Sequence, residues 1–257
     1  MSLKFLGAGN AFAPLSHGQS NAALSFENGL FLIDCGSDCR HLLYERYGED
    51  LDLGRLKGCY LSHVHADHCG GLEWLGFSTL FNDKIKNKPI LTGNKDVLED
   101  VWENSLKGGM DTTTESGDLM LKDFFDVKKI YEEGDFFING VKSKTVKAIH
   151  IPGEKPKLSY GLFFENEKNT YYTSDVCYGN WDLNKIYYEK ADVIFHDCEN
   201  TPYKSGVHYH YEDLRKLPEK IRNKIYLYHY DKKYIDEYNP VNDGFLGFVK
   251  KGDSFDM

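Results

Sequence analysis

Several things are missing from this 257-residue sequence, and each absence removes a class of protein. No run of about 18 apolar residues occurs, so no membrane-spanning helix is expected. The first twenty residues lack a basic start followed by a long apolar stretch, so no export signal is expected, and the reading is a cytoplasmic protein. Cysteine is present but unpaired in spacing. Cys35, Cys39, Cys59, Cys69, Cys177 and Cys198 lie scattered, without the spacing of a cysteine-ligated zinc site, and read as reduced thiols. Positive charge is also short: 31 Lys and Arg face 40 Asp and Glu, a net charge of -9. Proteins that grip long nucleic acids draw most of their affinity from Lys and Arg on phosphates, so a long DNA or RNA partner is disfavoured. No low-complexity tract, linker or shift in composition divides the chain, and residues 1–257 read as one domain.

What is present is an alternation of short β-rich and helical stretches. Residues 3–6, 22–26, 30–33, 58–62 and 89–92 read as strands in the first half. Residues 141–149, 160–165, 170–174, 193–196 and 224–229 read as strands in the second. Helices are expected over about 38–47, from near Gly71, over 97–106, 181–189 and 211–217. Residues 107–119 (KGGMDTTTESGDL) are polar and rich in glycine, and read as a loop. That composition equally suits a plain surface connection and a lid over a site. The order fits two sheets packed together with helices outside.

The strongest local signal is Ser62-His63-Val64-His65-Ala66-Asp67-His68-Cys69-Gly70-Gly71. Four candidate ligands fall within six residues, directly after the apolar run Cys59-Tyr60-Leu61. Imidazole and carboxylate are the N and O donors that suit Zn²⁺, and crowding them without a cation would be electrostatically wasteful. Other apolar runs deliver further donors: 146–149 leads to His150, 171–174 to Asp175, 225–228 to His229, and 193–195 to His196 and Asp197. Strand ends along one sheet edge converge, so these side chains are expected at one place. His63, His65 and His150 would hold one ion, and Asp67, His68 and His229 a second. Asp175 would bridge them through its two oxygens. Two zinc ions suit this set best, and Mn²⁺ or Fe would also be accepted. Asp34, ahead of Cys35-Gly36, is expected either to hydrogen-bond the metal-binding loop or to cap its own turn.

The form H-x-H-x-D-H, from His63 to His68, resembles the metal motif of the metallo-β-lactamase superfamily. The order His150, Asp175, His229 is similar too, as are Phe5-Leu6-Gly7-Ala8-Gly9 and Phe31-Leu32-Ile33-Asp34-Cys35-Gly36. The resemblance covers nearly the whole chain and implies an α/β fold of αββα four-layer sandwich type. Within the superfamily the sequence looks like the ribonuclease Z branch. That branch carries a His-Glu-Ala-Thr segment and a later His-Ser-Thr segment. Here the matching stretches are His196-Asp197-Cys198-Glu199 and His208-Tyr209-His210, and the long basic arm that holds tRNA is missing. The pattern is more similar to anti-Pycsar enzymes of phages and bacteria. That similarity implies a metal-dependent phosphodiesterase that hydrolyses cyclic mononucleotides. It also implies a homodimer, with loops near the site enclosing a small nucleotide.

On this reading His208 protonates the leaving oxygen or holds a phosphate oxygen, Asp197 orients it, and Asp67 positions water while binding metal. The competing reading for His208 is a cap on the helix that follows. His210 competes for the same place, and His196 is expected to be structural. His17 is an ordinary residue, in a loop that can approach a substrate. Three other functions share the sequence features. One is a tRNA-processing endonuclease. A second is a thioester, lactone or β-lactam hydrolase, disfavoured by the missing export signal. The third is a non-catalytic nucleotide-binding protein, disfavoured by the intact donor set.

Overall fold

The computed structural model describes residues 1–112, 118–131 and 134–257. The first half of the chain supplies β1 (Ser2–Phe5), β2 (Ala22–Phe26), β3 (Gly29–Ile33), β4 (Leu56–Leu61), β5 (Ile90–Asn94) and β6 (Asp126–Ile130). The second supplies β7 (Asp135–Ile138), β8 (Val141–Ile151), β9 (Lys157–Glu165), β10 (Thr170–Tyr172), β11 (Val193–Asp197), β12 (Ile225–Tyr228) and β13 (Gly247–Phe248). The last strand, β14 (Ser254–Asp256), crosses back and pairs with β1. Among the described residues this makes two sheets, ordered β14-β1-β2-β3-β4-β5-β6 and β13-β12-β11-β10-β9-β8-β7.

The sheets share a plan. Hairpin-like antiparallel pairs build one side, and parallel pairs β3–β4–β5–β6 and β10–β11–β12–β13 build the other. Parallel neighbours require crossovers, and helices supply them: Cys39–Tyr47, Leu72–Leu80 and Lys95–Val101 in the first half, Asn180–Lys190 and Tyr211–Leu214 in the second. The carboxyl ends of the parallel strands in a sheet then lie along one edge, where ligand-binding side chains collect.

Aromatic residues fill the space between the sheets. Phe5 lies 5.2 Å from Phe195 and 5.7 Å from Tyr228 by ring centroid. Tyr60 of β4 donates its hydroxyl proton across the gap to the Tyr160 carbonyl of β9 at 2.9 Å. Outside the second sheet, Tyr188 of the Asn180–Lys190 helix and Ala191 just past it pack with Leu214 and Ile221 over Val146 and Phe163. Helices thus cover the outer faces, giving the αββα layering.

Several expected boundaries shift. Residues 107–110 are helical (Lys107–Met110), continuing from Lys95–Val101 through a π-helical turn at Trp102–Leu106, so the polar stretch starts later than its composition suggests. Residues 113–117 of that stretch lie outside the described residues, and with them the lid expectation. The helix expected over 211–217 stops at Leu214, ahead of Pro218, which cannot donate a backbone hydrogen bond. His150 does not follow the end of a strand. It sits inside β8, where the register with β9 slips between Ile149 and Ile151, and such a bulge re-aims one side chain. The six cysteines are free and buried, and no helix is long and apolar enough to cross a membrane among the described residues.

Candidate metal centre

Three strands end in a backbone conformation that L-residues seldom adopt. Asp34 after β3, Ser174 after β10 and His229 after β12 have φ of 63°, 55° and 65°. None is glycine, and such strain away from glycine gathers at functional sites. Each kink turns the chain sharply where a strand leaves its sheet. Gly36, two residues past Asp34, meets the motif loop so closely that a Cβ there would lie 2.0 Å from the Asp67 carbonyl oxygen. Only glycine allows that approach.

The motif itself is fixed from behind by Asp34. Its Oδ1 accepts the Ser62 backbone N–H at 2.8 Å, and its Oδ2 accepts the Ser62 hydroxyl at 2.8 Å. Oδ2 also accepts from His68 Nδ1 at 2.8 Å. The Ser62 hydroxyl proton is committed to Asp34, so its oxygen accepts from His63 Nδ1, 3.0 Å away. His150 Nδ1 donates to the Val207 carbonyl at 2.9 Å. The consequence is the same for all three rings. The outer nitrogen carries the proton, and the inner one, Nε2, points a lone pair into the site, as metal-binding imidazoles do.

Those inner atoms converge in two groups. In the first, His63 Nε2 and His150 Nε2 each lie 3.1 Å from His65 Nδ1. Asp175 Oδ2 completes it, 3.8 Å from His63 and 3.7 Å from His150. In the second, Asp67 Oδ2 lies 3.3 Å from both His68 Nε2 and His229 Nε2. Asp175 Oδ2 is again the common member, 3.3 Å from His68 and 3.5 Å from His229. Ligands about 2.0–2.1 Å from a tetrahedral zinc stand about 3.3 Å from one another, which is the spacing found. One carboxylate oxygen, rather than two, faces both groups. The buried His68 Nε2, which faces the second group, has no hydrogen-bond partner, an expensive state that a cation would relieve.

The electrostatics point the same way. Burial works against a charged His229, yet Asp175, Asp197 and Asp67 push it up to about 10. His68 is likewise raised against its burial by Asp175, Asp67 and Asp34. Burial above all holds His63 and His150 low, the latter at about 4. The carboxylates thus demand positive charge in a buried space, and without a cation two imidazoles must supply it. The residues present fit two divalent ions, with N and O donors and no thiolate.

Beside the donor groups lies a second relay. His208 Nδ1 donates to Asp197 Oδ2 at 2.9 Å, and the same oxygen accepts the Val176 backbone N–H at 3.0 Å. Asp197 Oδ1 stands 3.3 Å from His229 Nδ1. Burial opposes the charge on His208, but Asp197 raises its pKa. His208 does not cap the helix after it. His210 does, accepting from the Glu212 N–H at 3.2 Å and bonding the Thr201 carbonyl at 2.9 Å. His196 is buried, donating from Nδ1 to the Asp197 carbonyl and accepting from the Tyr188 hydroxyl at 2.7 Å. His17 is buried against Tyr230 at 4.8 Å. Sequence reasoning assigns no part to Ser62 or to the Val207 carbonyl. A serine directly before the motif is a readable signal, whereas a backbone carbonyl leaves no signature.

A cavity of about 310 Å³ opens over these groups, walled by His65, Asp175, His208, Phe12 and Tyr203. Two sheets of this order, with ligands at their shared edge, define a protein of the metallo-β-lactamase fold. The structure aligns with the metallo-beta-lactamase fold protein YhfI from Bacillus subtilis at a TM-score of 0.75, over 99% of each chain at 16% identity. Human tRNase Z, short form, aligns at 0.69 over 100% of this chain and 99% of that one, at 17% identity. The sequence narrows this further: the family model for the anti-Pycsar protein Apyc1 matches residues 1–255. An anti-Pycsar protein Apyc1 from Paenibacillus harenae is 33% identical over 241 residues, covering 93% of this chain and 92% of the relative. One from Bacillus phage BSP38 is 28% identical over 260 residues, covering 98% and 97%. This chain belongs to the anti-Pycsar protein Apyc1 family.

Proposed function

We propose that the protein is a dinuclear zinc phosphodiesterase that linearises cyclic mononucleotides such as cyclic CMP, cyclic UMP, cyclic AMP and cyclic GMP, and so counters Pycsar antiviral signalling. The observation that carries this reading is the position of Asp175 Oδ2, shared by two donor groups beside the His208–Asp197 pair. His63, His65 and His150 with Asp175 would hold one cation, and Asp67, His68 and His229 with Asp175 the other. When bound, such a pair supplies Lewis acidity toward phosphoryl oxygens and lowers the pKa of water.

The chain's own groups do the rest. Water's oxygen forms a bond to phosphorus as its proton passes to solvent, one ester P–O bond breaks, and the departing ribose oxygen takes a proton from His208, which solvent then restores. His208 gives that proton from Nε2, because Nδ1 is occupied by Asp197. Burial opposes its charge, but Asp197 raises its pKa, which favours the protonated ring that a general acid requires. Asp67 orients the attacking water. The product is a linear nucleoside monophosphate.

A homodimer acting in the cytoplasm, of the host where a phage encodes the protein, belongs to the same proposal, and light scattering of the pure protein reads its mass. The deciding experiment offers the metal-replete protein cyclic mononucleotides and, separately, a tRNA precursor, with bound metal quantified. Expected are linear nucleotides and about two metal ions per chain, with the tRNA intact. A metal-replete protein that opens no cyclic mononucleotide overturns the reading.

A further inference from the structure

The cavity over the metal centre is lined by neither Lys nor Arg among the described residues. Its walls hold carboxylates, imidazoles, amides and hydroxyls. The ions and His208 would serve one phosphate, and no Lys or Arg stands beside them to take a second. Beyond the phosphate, a ligand meets no Lys or Arg, and two aromatic rings stand at the mouth to receive it. Phe12 is 92% exposed and Tyr203 is 68% exposed, and both line this cavity.

Neither ring sits on a loose end. Asn10 Oδ1 accepts the Phe12 N–H at 3.0 Å, and the Asn10 carbonyl accepts the Ala13 N–H at 3.0 Å. Gln19 Nε2 donates to the Ala11 carbonyl at 3.2 Å. These bonds hold the β1–β2 connection beneath Phe12. Tyr203 lies in the connection after β11, where both Glu199 carboxylate oxygens accept the Ser205 N–H, at 3.1 and 2.9 Å. Thr201 Oγ1 donates to the Tyr203 carbonyl at 2.6 Å, and His210 Nε2 bonds the Thr201 carbonyl. Two anchored turns, one from each sheet, thus present hydrophobic faces to water at the mouth of one pocket. A large aromatic left in solvent on a rigid support is otherwise unfavourable.

We propose that Phe12 and Tyr203 form the nucleobase subsite, stacking the base of a mononucleotide whose phosphate lies at the metal centre. The subsite rests on the cyclic-nucleotide reading above. Stacking accepts any base, since every base has a π-face, so Phe12 and Tyr203 select for the presence of a base and weakly for its identity.

The test compares cyclic CMP with ribose 3′,5′-cyclic phosphate, which lacks a base. The wild-type protein is expected to prefer cyclic CMP. Phe12→Ala and Tyr203→Ala are each expected to lower that preference in kcat/KM by about tenfold, mainly through KM, with the Phe12→Trp variant retaining it. An unchanged preference in both alanine variants removes the subsite while leaving the phosphodiesterase standing. If the wild type opens no cyclic nucleotide, the two ideas separate by binding. Fluorescence of the Phe12→Trp variant is then expected to be quenched by CMP and not by ribose 5-phosphate. Equal response to both overturns the subsite.

Discussion

Asp34 and His68 are 34 residues apart in the chain and joined by a 2.8 Å hydrogen bond, wholly buried, from His68 Nδ1 to Asp34 Oδ2. The same carboxylate receives the Ser62 backbone and hydroxyl, so one side chain at the end of β3 orients both His68 and, through Ser62, His63. Partners of this kind raise ligand basicity and fix the ring, and losing one weakens metal binding by about 10- to 100-fold. Asp34→Asn is the informative variant, because asparagine tolerates the left-handed backbone at this position. Chelator competition is expected to show weaker metal retention at near-normal folding. Unaltered retention would mean that Asp34 serves only its turn.

Asp175 makes a sharper prediction. Its Oδ2 is the one atom common to both donor groups, so Asp175→Ala removes a ligand from each. Metal content is expected to fall below one ion per chain, where His65→Ala is expected to spare the ion held by Asp67, His68 and His229. Plasma emission analysis of the dialysed proteins checks this. Equal losses in the two variants would refute the shared carboxylate.

Much of this centre is legible in the sequence because its chemistry is concentrated. Four donors crowded into six residues repel one another unless a cation joins them, and His229 and Asp175 follow apolar runs that read as strands. What stays hidden has physical causes. His150 reaches the site through a bulge inside β8, and an extra residue in a strand changes no composition. The left-handed turns at Asp34, Ser174 and His229 lack the glycine or asparagine that normally announces one. The strands β6, β7, β13 and β14 are short and partly exposed, and they form the four edges of the two sheets, so they lack the continuous apolar pattern of the inner ones. His208 and His210 have similar sequence surroundings. The structure separates them: His210 caps the helix and His208 meets Asp197.

His208 is predicted to act on the proton and not on the metal. His208→Gln keeps a polar side chain at the cavity wall but cannot donate a proton as an acid. A fall in kcat of about 10²- to 10⁴-fold is expected, with metal content unchanged. The pH–rate profile is the discriminating measurement. The wild type should lose activity as pH rises through the His208 pKa, and the variant should lack that alkaline limb. A variant that keeps both the limb and the rate would return the proton to another donor.

His17 offers a prediction about stability remote from the reaction. Its ring is buried beside Tyr230, its Nε2 has no partner, and burial first, then Lys232, lowers its pKa to about 4. In the unfolded chain the same imidazole titrates near 6.5. Between those values the unfolded state binds a proton that the folded state refuses, so stability falls with pH from about 6.5 toward 4. Above pH 6.5 both states are neutral and the residue imposes no acid penalty. Replacing the ring by one that cannot titrate removes the difference, and Phe preserves the contact with Tyr230. His17→Phe is therefore expected to narrow the gap in unfolding free energy between pH 7 and pH 5 by about 2 kcal/mol. Denaturant melts of both proteins at the two pH values measure it. Equal gaps would show that His17 gains its proton without cost and that its burial is no barrier to charge.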